Sequence, residues 1–208
     1  MRNIIHFLVN IGKLKSEARK GWKLRGVKNP ETIAAHTFRM AIMAWLLGER
    51  KKLNLNKIFK MSLIHDICEV FAGDTTPYDT LIPKNRKRIK EITNRWPTFS
   101  KREKEKIFYE KYKRECKALK ELVKNLPPHL KREIKNLWID YEKGFTREGR
   151  FVRQLDRVEN LLQALEYWSK KKQFAIEPWW IQIEELVDDP ILRKFIDNLG
   201  KKFHRKKK

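Results

Sequence analysis

The stretch SLIHDICEVFAGD, residues 62–74, places several titratable side chains within an otherwise apolar helical pattern. His65 and Asp66 are adjacent, Glu69 follows three residues later, and Asp74 closes the stretch. An ionised aspartate beside a buried helix face is costly unless it is paired or binds a metal. Because residues three apart are neighbours on a helix surface, Glu69 can share a site with Asp66.

Two further residues repeat this pattern on other predicted helices. His36 lies in the apolar segment AAHTFRMAIMAWLL, and Asp156 lies in FVRQLDRVENLLQALEYW. Taken alone, His36 is more simply a hydrogen-bonded core histidine, and Asp156 an ion-pair partner of Arg153 or Arg157. Together with the His-Asp pair they make two imidazoles and two carboxylates, a mixed set that suits a divalent ion. Helix bundles commonly build such sites from inward side chains on facing helices.

The elements that must position these residues are predicted to be almost entirely helical. The chain has only 8 Gly and 8 Pro in 208 residues, and it contains no convincing alternating strand. We therefore expect one all-α domain, a helical bundle, over residues 1–208. Within it we expect the core motifs at about 10–170, C-terminal helices over 178–203 and a basic tail over 204–208.

Caps and breakers predict where the helices begin and end. Asn29 before Pro30 predicts the start of a helix that reaches about Gly48. Asn56 predicts the start of a second helix, which carries the His-Asp pair over 57–71 and ends near Gly73. After the loop GDTTPYDTLIP, the pattern predicts a basic helix from about Lys84 to Arg95, an interruption at Pro97 and a long charged helix from a Ser100–Glu103 capping box to about Asn125. It then predicts a helix over about 129–142, a helix capped by Thr146 that runs to about Lys171, a helix over 178–187 and one from Pro190.

The charge balance is strongly basic, with 49 Lys+Arg against 26 Asp+Glu and a net charge of +23. Three explanations stay open: binding to nucleic acid, a basic rim that attracts a small anionic substrate such as a nucleotide, and a solvated thermophile surface. There is no run of 18 apolar residues, no signal-peptide cleavage pattern, and Cys68 and Cys116 do not suggest a disulfide framework. These features favour a cytoplasmic protein without a membrane span.

The quoted motifs resemble a known family. AAHTFRMAIMAWLL, SLIHDICEVFAGDTTPYD and RFVRQLDRVENLLQALEY resemble the H…HD…D signature of HD-domain metal-dependent phosphohydrolases. The resemblance is closest to the nucleotidase-like branch, which includes bacterial 5′-deoxynucleotidase and its archaeal and eukaryotic relatives, and it runs from about residue 10 to 170. It implies a bundle of the HD-domain type and hydrolysis of deoxyribonucleoside 5′-monophosphates to deoxynucleoside and phosphate.

The same resemblance implies roles for individual residues. One divalent ion (Mn, Co, Zn, Fe, Ni or Mg) would be bound by His36, His65, Asp66 and Asp156. Glu69 matches the carboxylate of the HDxxE pattern, so Glu69 and Asp66 are the implied catalytic pair. A dinuclear site would need further histidines in places where this sequence has none.

Substrate contacts are implied at two places in the sequence. The loop that holds the nucleotide corresponds to Asp74, Thr75, Thr76 and Pro77, and the phosphate end corresponds to Arg19 and Trp22. Arg25 is a rival to Arg19, because two residues separate Arg19 from Trp22 where the bacterial enzyme has an adjacent pair. The resemblance also implies a homodimer.

Several alternatives stay open at this level. The chain could act on a ribonucleotide or a signalling nucleotide, bind nucleic acid as a basic helical protein, or keep an HD fold without catalysis. The basic helices over 84–125 could form a lid, a dimer surface or a thermostability feature. Trp179 and Trp180 could pack against the same bundle or form a dimer contact.

Overall fold

The computed structural model describes residues 1–81, 88–94 and 99–204, and it contains no strand in those ranges. This confirms the all-α prediction. In chain order the helices are α1 (Arg2–Ile11), α2 (Lys20–Leu24), α3 (Ile33–Arg50), α4 (Leu55–Ile64), α5 (Glu69–Ala72), α6 (Ile89–Thr93), α7 (Lys101–Leu122), α8 (Pro128–Lys143), α9 (Arg147–Lys170), α10 (Glu177–Leu186) and α11 (Pro190–Lys202). Short 3₁₀ turns cover Gly12–Lys15 and Asp79–Leu81.

Two of the predicted N-terminal caps form as the sequence indicates. Ser100 and Glu103 make a reciprocal capping box at the start of α7. Thr146 caps α9 by accepting a hydrogen bond from the backbone N–H of Gly149. Each such cap satisfies backbone donors that a helix start would otherwise leave free.

The predicted start of α3 at Asn29 and Pro30 is wrong. The cap is Thr32, whose side chain accepts from the backbone N–H of Ala35 at 3.1 Å. The residues before it pair with another segment instead, since the Arg19 N–H donates to the Glu31 carbonyl at 3.0 Å and Ala18 forms an isolated bridge with Thr32. These tertiary bonds use backbone groups that an earlier helical turn would need.

The predicted continuous helix over 57–71 is also wrong in its start and its middle. Asn54, not Asn56, caps α4 by accepting from the Lys57 N–H. The helix then stops at Ile64 and resumes as α5 at Glu69. Side chains take the carbonyls at this break: His65 Nδ1 donates to the Ser62 carbonyl at 2.7 Å, and Trp138 Nε1 donates to the His65 carbonyl at 3.1 Å.

The basic segment is described only in part. Within its predicted range from Lys84 to Arg95, the described residues 88–94 contain α6, and residues 84–87 and 95 lie outside the described residues. The predicted interruption at Pro97 and residues 205–208 of the basic tail also lie outside the described residues.

The core is centred on α9, which packs against α3, α4, α8, α10 and α11. Its inward stripe includes Phe151, Leu155, Val158, Leu161 and Leu165, all fully or almost fully buried. Fully burying one such side chain contributes about 1.5–3 kcal/mol. Trp179 and Trp180 are buried in this same core, which confirms packing against the chain's own bundle. None of the described helices is long and apolar enough to cross a membrane.

Candidate metal and substrate site

Three separate elements bring the predicted metal ligands together. His36 lies in the first turns of α3, and Asp156 lies near the middle of α9, directly after the buried Leu155. His65 and Asp66 lie in the break between α4 and α5, where the chain leaves the regular helix. The break turns both side chains toward the same point, which a continuous helix would not do for two consecutive residues.

The donor atoms of these four residues converge. His36 Nε2 lies 3.2 Å from His65 Nε2 and 3.2 Å from Asp156 Oδ1. Asp66 Oδ2 lies 3.0 Å from His65 Nε2 and 3.9 Å from His36 Nε2. Donors that share an ion at about 2.0–2.2 Å are separated by distances of this order. The residues therefore fit a divalent ion both in chemistry and in spacing.

Neighbouring side chains hold the donors in place. The His65 ring is fixed by its bond to the Ser62 carbonyl, which leaves Nε2 facing the cluster. Tyr141 donates its hydroxyl hydrogen to Asp156 Oδ2 at 3.0 Å. His36 Nδ1 bonds to the carboxylate of Glu159, which lies one turn after Asp156 on α9. Partners of this kind fix the ring orientation of a metal-binding histidine and make it a better ligand.

Glu159 is itself part of a buried network that the sequence analysis did not identify. It is fully buried, and its other oxygen accepts from Arg39 Nε at 2.7 Å. Arg39 also donates to Glu166 at 2.7 Å and to Gln163 at 2.6 Å. The spacing from Asp156 to Glu159 on one helix was the sequence signal for this carboxylate.

Charges within the cluster shift its titration. Burial and Arg19 would lower the pKa of His36, but the carboxylates of Glu159 and Asp156 outweigh them and raise it to about 9. Burial opposes ionisation of Asp66, yet the adjacent His65 holds its pKa well below the usual range. The cluster therefore strongly favours bound cations, whether protons or a metal ion.

A pocket opens directly beside this cluster. Asp66 and Asp156 line one end of it, together with Glu69, Arg19 and Lys111. We call this the metal end. Glu69 is buried, and burial beside Asp66 and Asp74 raises its pKa well above its ordinary value.

Helix α7 supplies the other charged residue of the metal end that the sequence analysis missed. Lys111 Nζ lies 3.2 Å from the buried carboxylate of Glu115. Burial would lower the pKa of Lys111, but Glu115 and Asp66 outweigh it and raise the pKa well above the ordinary value. The basic helix α7 is therefore a wall of the pocket. Nothing in its local sequence distinguishes Lys111 from the many exposed lysines around it.

All six residues predicted to contact substrate line the same pocket: Arg19, Trp22, Asp74, Thr75, Thr76 and Pro77. Asp74 Oδ2 accepts from the Lys20 backbone N–H at 2.5 Å, which ties this loop to the start of α2. Trp22 is buried and donates its indole N–H to Glu31 at 2.9 Å. The Thr75 hydroxyl is buried without a hydrogen-bond partner in the described residues.

The two candidate arginines differ in how they are held. Arg19 Nη1 is buried, has no hydrogen-bond partner among the described residues and lies 4.0 Å from Asp66 Oδ2. Arg25 donates from Nη1 to the Gly21 carbonyl at 3.0 Å and from Nη2 to the Thr93 carbonyl at 3.1 Å. Its guanidinium lies 4.3 Å from the centre of the Trp179 ring. Arg19 therefore keeps a terminal guanidinium nitrogen available at the metal end, whereas both terminal nitrogens of Arg25 are bound to backbone carbonyls and only its Nε has no partner among the described residues.

The opposite end of the pocket is lined by neutral side chains around Arg25. We call it the far end, and it consists of Arg25, Tyr78, Asn160, Trp179 and Gln182. The Trp179 ring stacks on Trp22 with centroids 5.6 Å apart. The sequence suggested that Trp179 packs against the bundle or forms a dimer contact, and gave no sign that it lines the pocket.

Comparison with known proteins agrees with this architecture. The HD domain family model matches residues 11–182. A 5′-deoxynucleotidase HDDC2 from Xenopus laevis is 34% identical over 172 residues, which cover 83% of this chain and 73% of that protein. The human 5′-deoxynucleotidase HDDC2 is 35% identical over 166 residues, 80% of this chain and 69% of that protein. This chain therefore belongs to the HD-domain phosphohydrolases, in their nucleotidase-like branch.

Solved structures give the same result for the fold. A protein from Magnetospirillum magnetotacticum, described as a predicted metal-dependent phosphohydrolase, is 27% identical with a TM-score of 0.65, covering 98% of this chain and 92% of that one. A conserved hypothetical protein from Pyrococcus furiosus is 26% identical with a TM-score of 0.66, covering 95% and 99%. Family membership and the converging donor set together imply a divalent metal ion at the cluster.

Proposed function

We propose that this protein is a 5′-deoxynucleotidase that hydrolyses deoxyribonucleoside 5′-monophosphates to deoxynucleoside and phosphate. The observation that carries this proposal is the convergence of His36, His65, Asp66 and Asp156 at one end of a pocket. The relatives named 5′-deoxynucleotidase support the substrate class. A bound divalent ion supplies charge neutralisation on the phosphoryl group and makes hydroxide available from water near neutral pH.

The residues of the metal end bind and orient the phosphate. Arg19 has a buried donor without a partner in the described part of the chain, and a guanidinium suits the oxygens of a phosphate. Lys111 adds a second fixed positive charge from α7. Together they offset the negative charge that a monophosphate brings next to Asp66 and Asp156.

Glu69 handles the proton. In the reaction, an oxygen from water bonds to phosphorus, the bond from phosphorus to the 5′-oxygen breaks, and the leaving oxygen takes up a proton. Because burial and the neighbouring Asp66 raise the pKa of Glu69 well above its ordinary value, Glu69 binds that proton more readily than an exposed glutamate does. It can therefore orient the water or protonate the leaving oxygen as a general acid.

The loop after α5 holds the sugar. The Thr75 hydroxyl is buried without a partner within the described ranges, and Asp74 is fixed by the Lys20 N–H. We propose that crowding by Asp74, Thr75, Thr76 and Pro77 disfavours a 2′-hydroxyl. Trp22 walls the pocket between this loop and α10.

We propose one metal ion for each chain. The remaining histidines, His6, His129 and His204, are exposed and lie outside the cluster. A mixed His and Asp set accepts Mn, Co, Zn, Fe, Ni or Mg with different affinities.

Chelator-stripped protein tests the function. Phosphate release would be measured from 5′-mononucleotides, both deoxy and ribo, after adding back Mn, Co, Mg or Zn singly. We expect metal-dependent release from the deoxy set. Release from both sets would remove the sugar selectivity and keep the metal mechanism. No release with any metal would contradict a nucleotidase, and signalling nucleotides and salt-dependent nucleic-acid binding would then be tested.

We also propose a homodimer through the outer face of α3. This face consists of Phe38, Ile42, Trp45 and Leu46, which are 69%, 37%, 47% and 55% exposed. Every exposed residue of α3 from Ala35 to Leu46 is uncharged, in a chain of net charge +23. A second copy carries the same positive charge, so two copies meet with least repulsion on a face without charges.

Light scattering after size-exclusion chromatography tests the dimer. We expect Trp45→Glu to give a monomer, while Phe145→Glu, at another exposed aromatic, keeps the dimer mass. Equal masses for both variants would contradict this interface. Cytoplasmic location stays a prediction from the sequence.

A further inference from the structure

The pocket extends well beyond the residues that handle phosphate. Helix α9 lines it with Asp156 at the metal end and with Asn160 one turn farther on. Four residues along an α-helix correspond to about 6 Å along the axis, and residues four apart share a face. Helix α10, which packs on α9, lines the same region with Pro178, Trp179 and Gln182. Two helices therefore form a chamber at the far end.

The polar groups of this chamber are side-chain amides. Asn160 Oδ1 accepts from Trp179 Nε1 at 3.2 Å, which orients the amide and leaves its NH₂ group free. Gln182 makes no hydrogen bond within the described residues, although it lines the pocket and is half-buried. An amide of this kind offers both donors and acceptors at fixed spacing.

The chamber is poorly suited to a second phosphate. Arg25, its cationic residue among those described, already donates from Nη1 and Nη2 to the Gly21 and Thr93 carbonyls. The guanidinium carbon of Arg25 lies 4.3 Å from the centre of the Trp179 ring and 5.5 Å from the centre of the Tyr78 ring. The far end thus presents ring surfaces and neutral amides. Among the described residues, only Nε of the Arg25 guanidinium has no hydrogen-bond partner, so this side chain has no pair of donors left for a phosphate.

We propose that Asn160 and Gln182 form the hydrogen-bonding part of a nucleobase subsite at the far end of the pocket. This inference rests on the proposed function, since it assumes a nucleotide whose phosphate lies at the metal end. Asn and Gln amides match the donor and acceptor pattern on base edges. Their contacts select among bases, while the metal end is indifferent to the base.

Steady-state kinetics with and without a base test this subsite. The substrates are dAMP, dGMP, dCMP, TMP and 2-deoxyribose 5-phosphate, which has the sugar and phosphate but no base. The variants are Asn160→Ala and Gln182→Ala. The matched control is Gln173→Ala, a glutamine that does not line the pocket.

We expect each pocket variant to raise KM about threefold to tenfold for at least one nucleotide, with little change in kcat. The KM for 2-deoxyribose 5-phosphate should stay within about twofold of the wild-type KM, and the control variant should behave as wild type. A parallel loss on 2-deoxyribose 5-phosphate would assign the amides to the sugar or to structure and overturn the subsite. Unchanged nucleotide kinetics in both variants would also overturn it.

A binding measurement separates this inference from the proposed function. Deoxynucleosides without phosphate would be titrated into the metal-loaded wild type and the two variants by NMR. Weaker binding to the variants supports the base subsite even if the wild type releases no phosphate, which would overturn the nucleotidase alone. Equal affinity in all three proteins would overturn the subsite.

Discussion

The two ends of the pocket are built in different ways. At the metal end, three of the four predicted ligands have a hydrogen-bond partner that holds them: the Ser62 carbonyl for His65, Glu159 for His36 and Tyr141 for Asp156. At the far end, Gln182 has no partner in the described residues, and Asn160 has one. Fixed donors are required where charge must be stabilised, and adaptable amides suffice where a neutral group is recognised.

Removing one of the predicted metal ligands should have the largest effect on activity. We expect Asp66→Ala to lower kcat/KM on a deoxyribonucleoside 5′-monophosphate by at least about 10³-fold, because both the ion and the phosphate lose a partner. The measurement is phosphate release at saturating metal. Exposed Asp197→Ala on α11 is the control and should keep wild-type activity.

The fold should survive this change. Asp66 lies in the break between α4 and α5, outside the regular helices, and its replacement removes the repulsion of Glu69 and Asp156 together with the attraction to His65. Circular dichroism should therefore give the wild-type helical signal. Activity retained above about a tenth of wild type would contradict the ligand assignment.

Changing Glu159, which bonds to His36, should have the next largest effect, and this effect should be on metal affinity. Glu159→Gln keeps the shape but weakens the bond to His36 Nδ1, so we expect metal affinity to fall about 10- to 100-fold. Excess metal should restore most of kcat. The matched control is Glu166→Gln on the same helix, which also removes a carboxylate from Arg39 but does not touch His36. Equal metal affinity in the two variants would contradict this role for Glu159.

Titration of His36 predicts how metal affinity depends on pH. With its pKa raised to about 9, His36 carries a proton in the metal-free protein at neutral pH. A metal ligand must be neutral, so binding displaces that proton, and apparent affinity should rise with pH, by at most about tenfold per unit, until about pH 9. Calorimetry in buffers of different ionisation enthalpy should show proton release at pH 7 and little at pH 10. A metal affinity that does not depend on pH would contradict the displacement of a proton from His36.

The stability of the metal-free protein should depend on pH in the opposite direction to metal affinity, falling as pH rises. Because the folded pKa of His36 lies above its ordinary value of 6.5, its protonation stabilises the metal-free fold fully below about pH 6.5. This contribution is lost as pH rises through about 9. Glu159→Gln removes a carboxylate that raises this pKa, so both pH dependences should flatten in that variant.

The sequence predicted these four residues as ligands because each is a polar residue in an apolar helical pattern, and the structure brings their side chains together. It also found the caps at Ser100 and Thr146, where a local motif decides the structure. It failed at Asn29 because Glu31 and Thr32 bond to a segment more than ten residues away. No local pattern could reveal those partners.

The same limit applied within the site. The helix break after Ile64 depends on Trp138, and the charged wall depends on Lys111 reaching across from α7. Both are contacts between residues far apart in sequence, so hydrophobic periodicity carries no information about them. Glu159 could have been predicted from the sequence, since it lies one turn from Asp156 on the same helix.

Replacing Arg19 or Arg25 by lysine tests the difference between the two ends of the pocket. These substitutions should have the smallest effects. We expect Arg19→Lys to raise KM for a 5′-monophosphate about threefold to tenfold, since a lysine keeps the charge but loses the planar pair of donors. Arg25→Lys should leave phosphate binding unchanged and instead lower the melting temperature, because two carbonyls and the Trp179 face lose their partner. Inorganic phosphate as a competitive inhibitor measures the first effect without a base or sugar. If Arg25→Lys weakened phosphate inhibition and Arg19→Lys did not, the phosphate would lie at the far end, and the two ends would exchange roles.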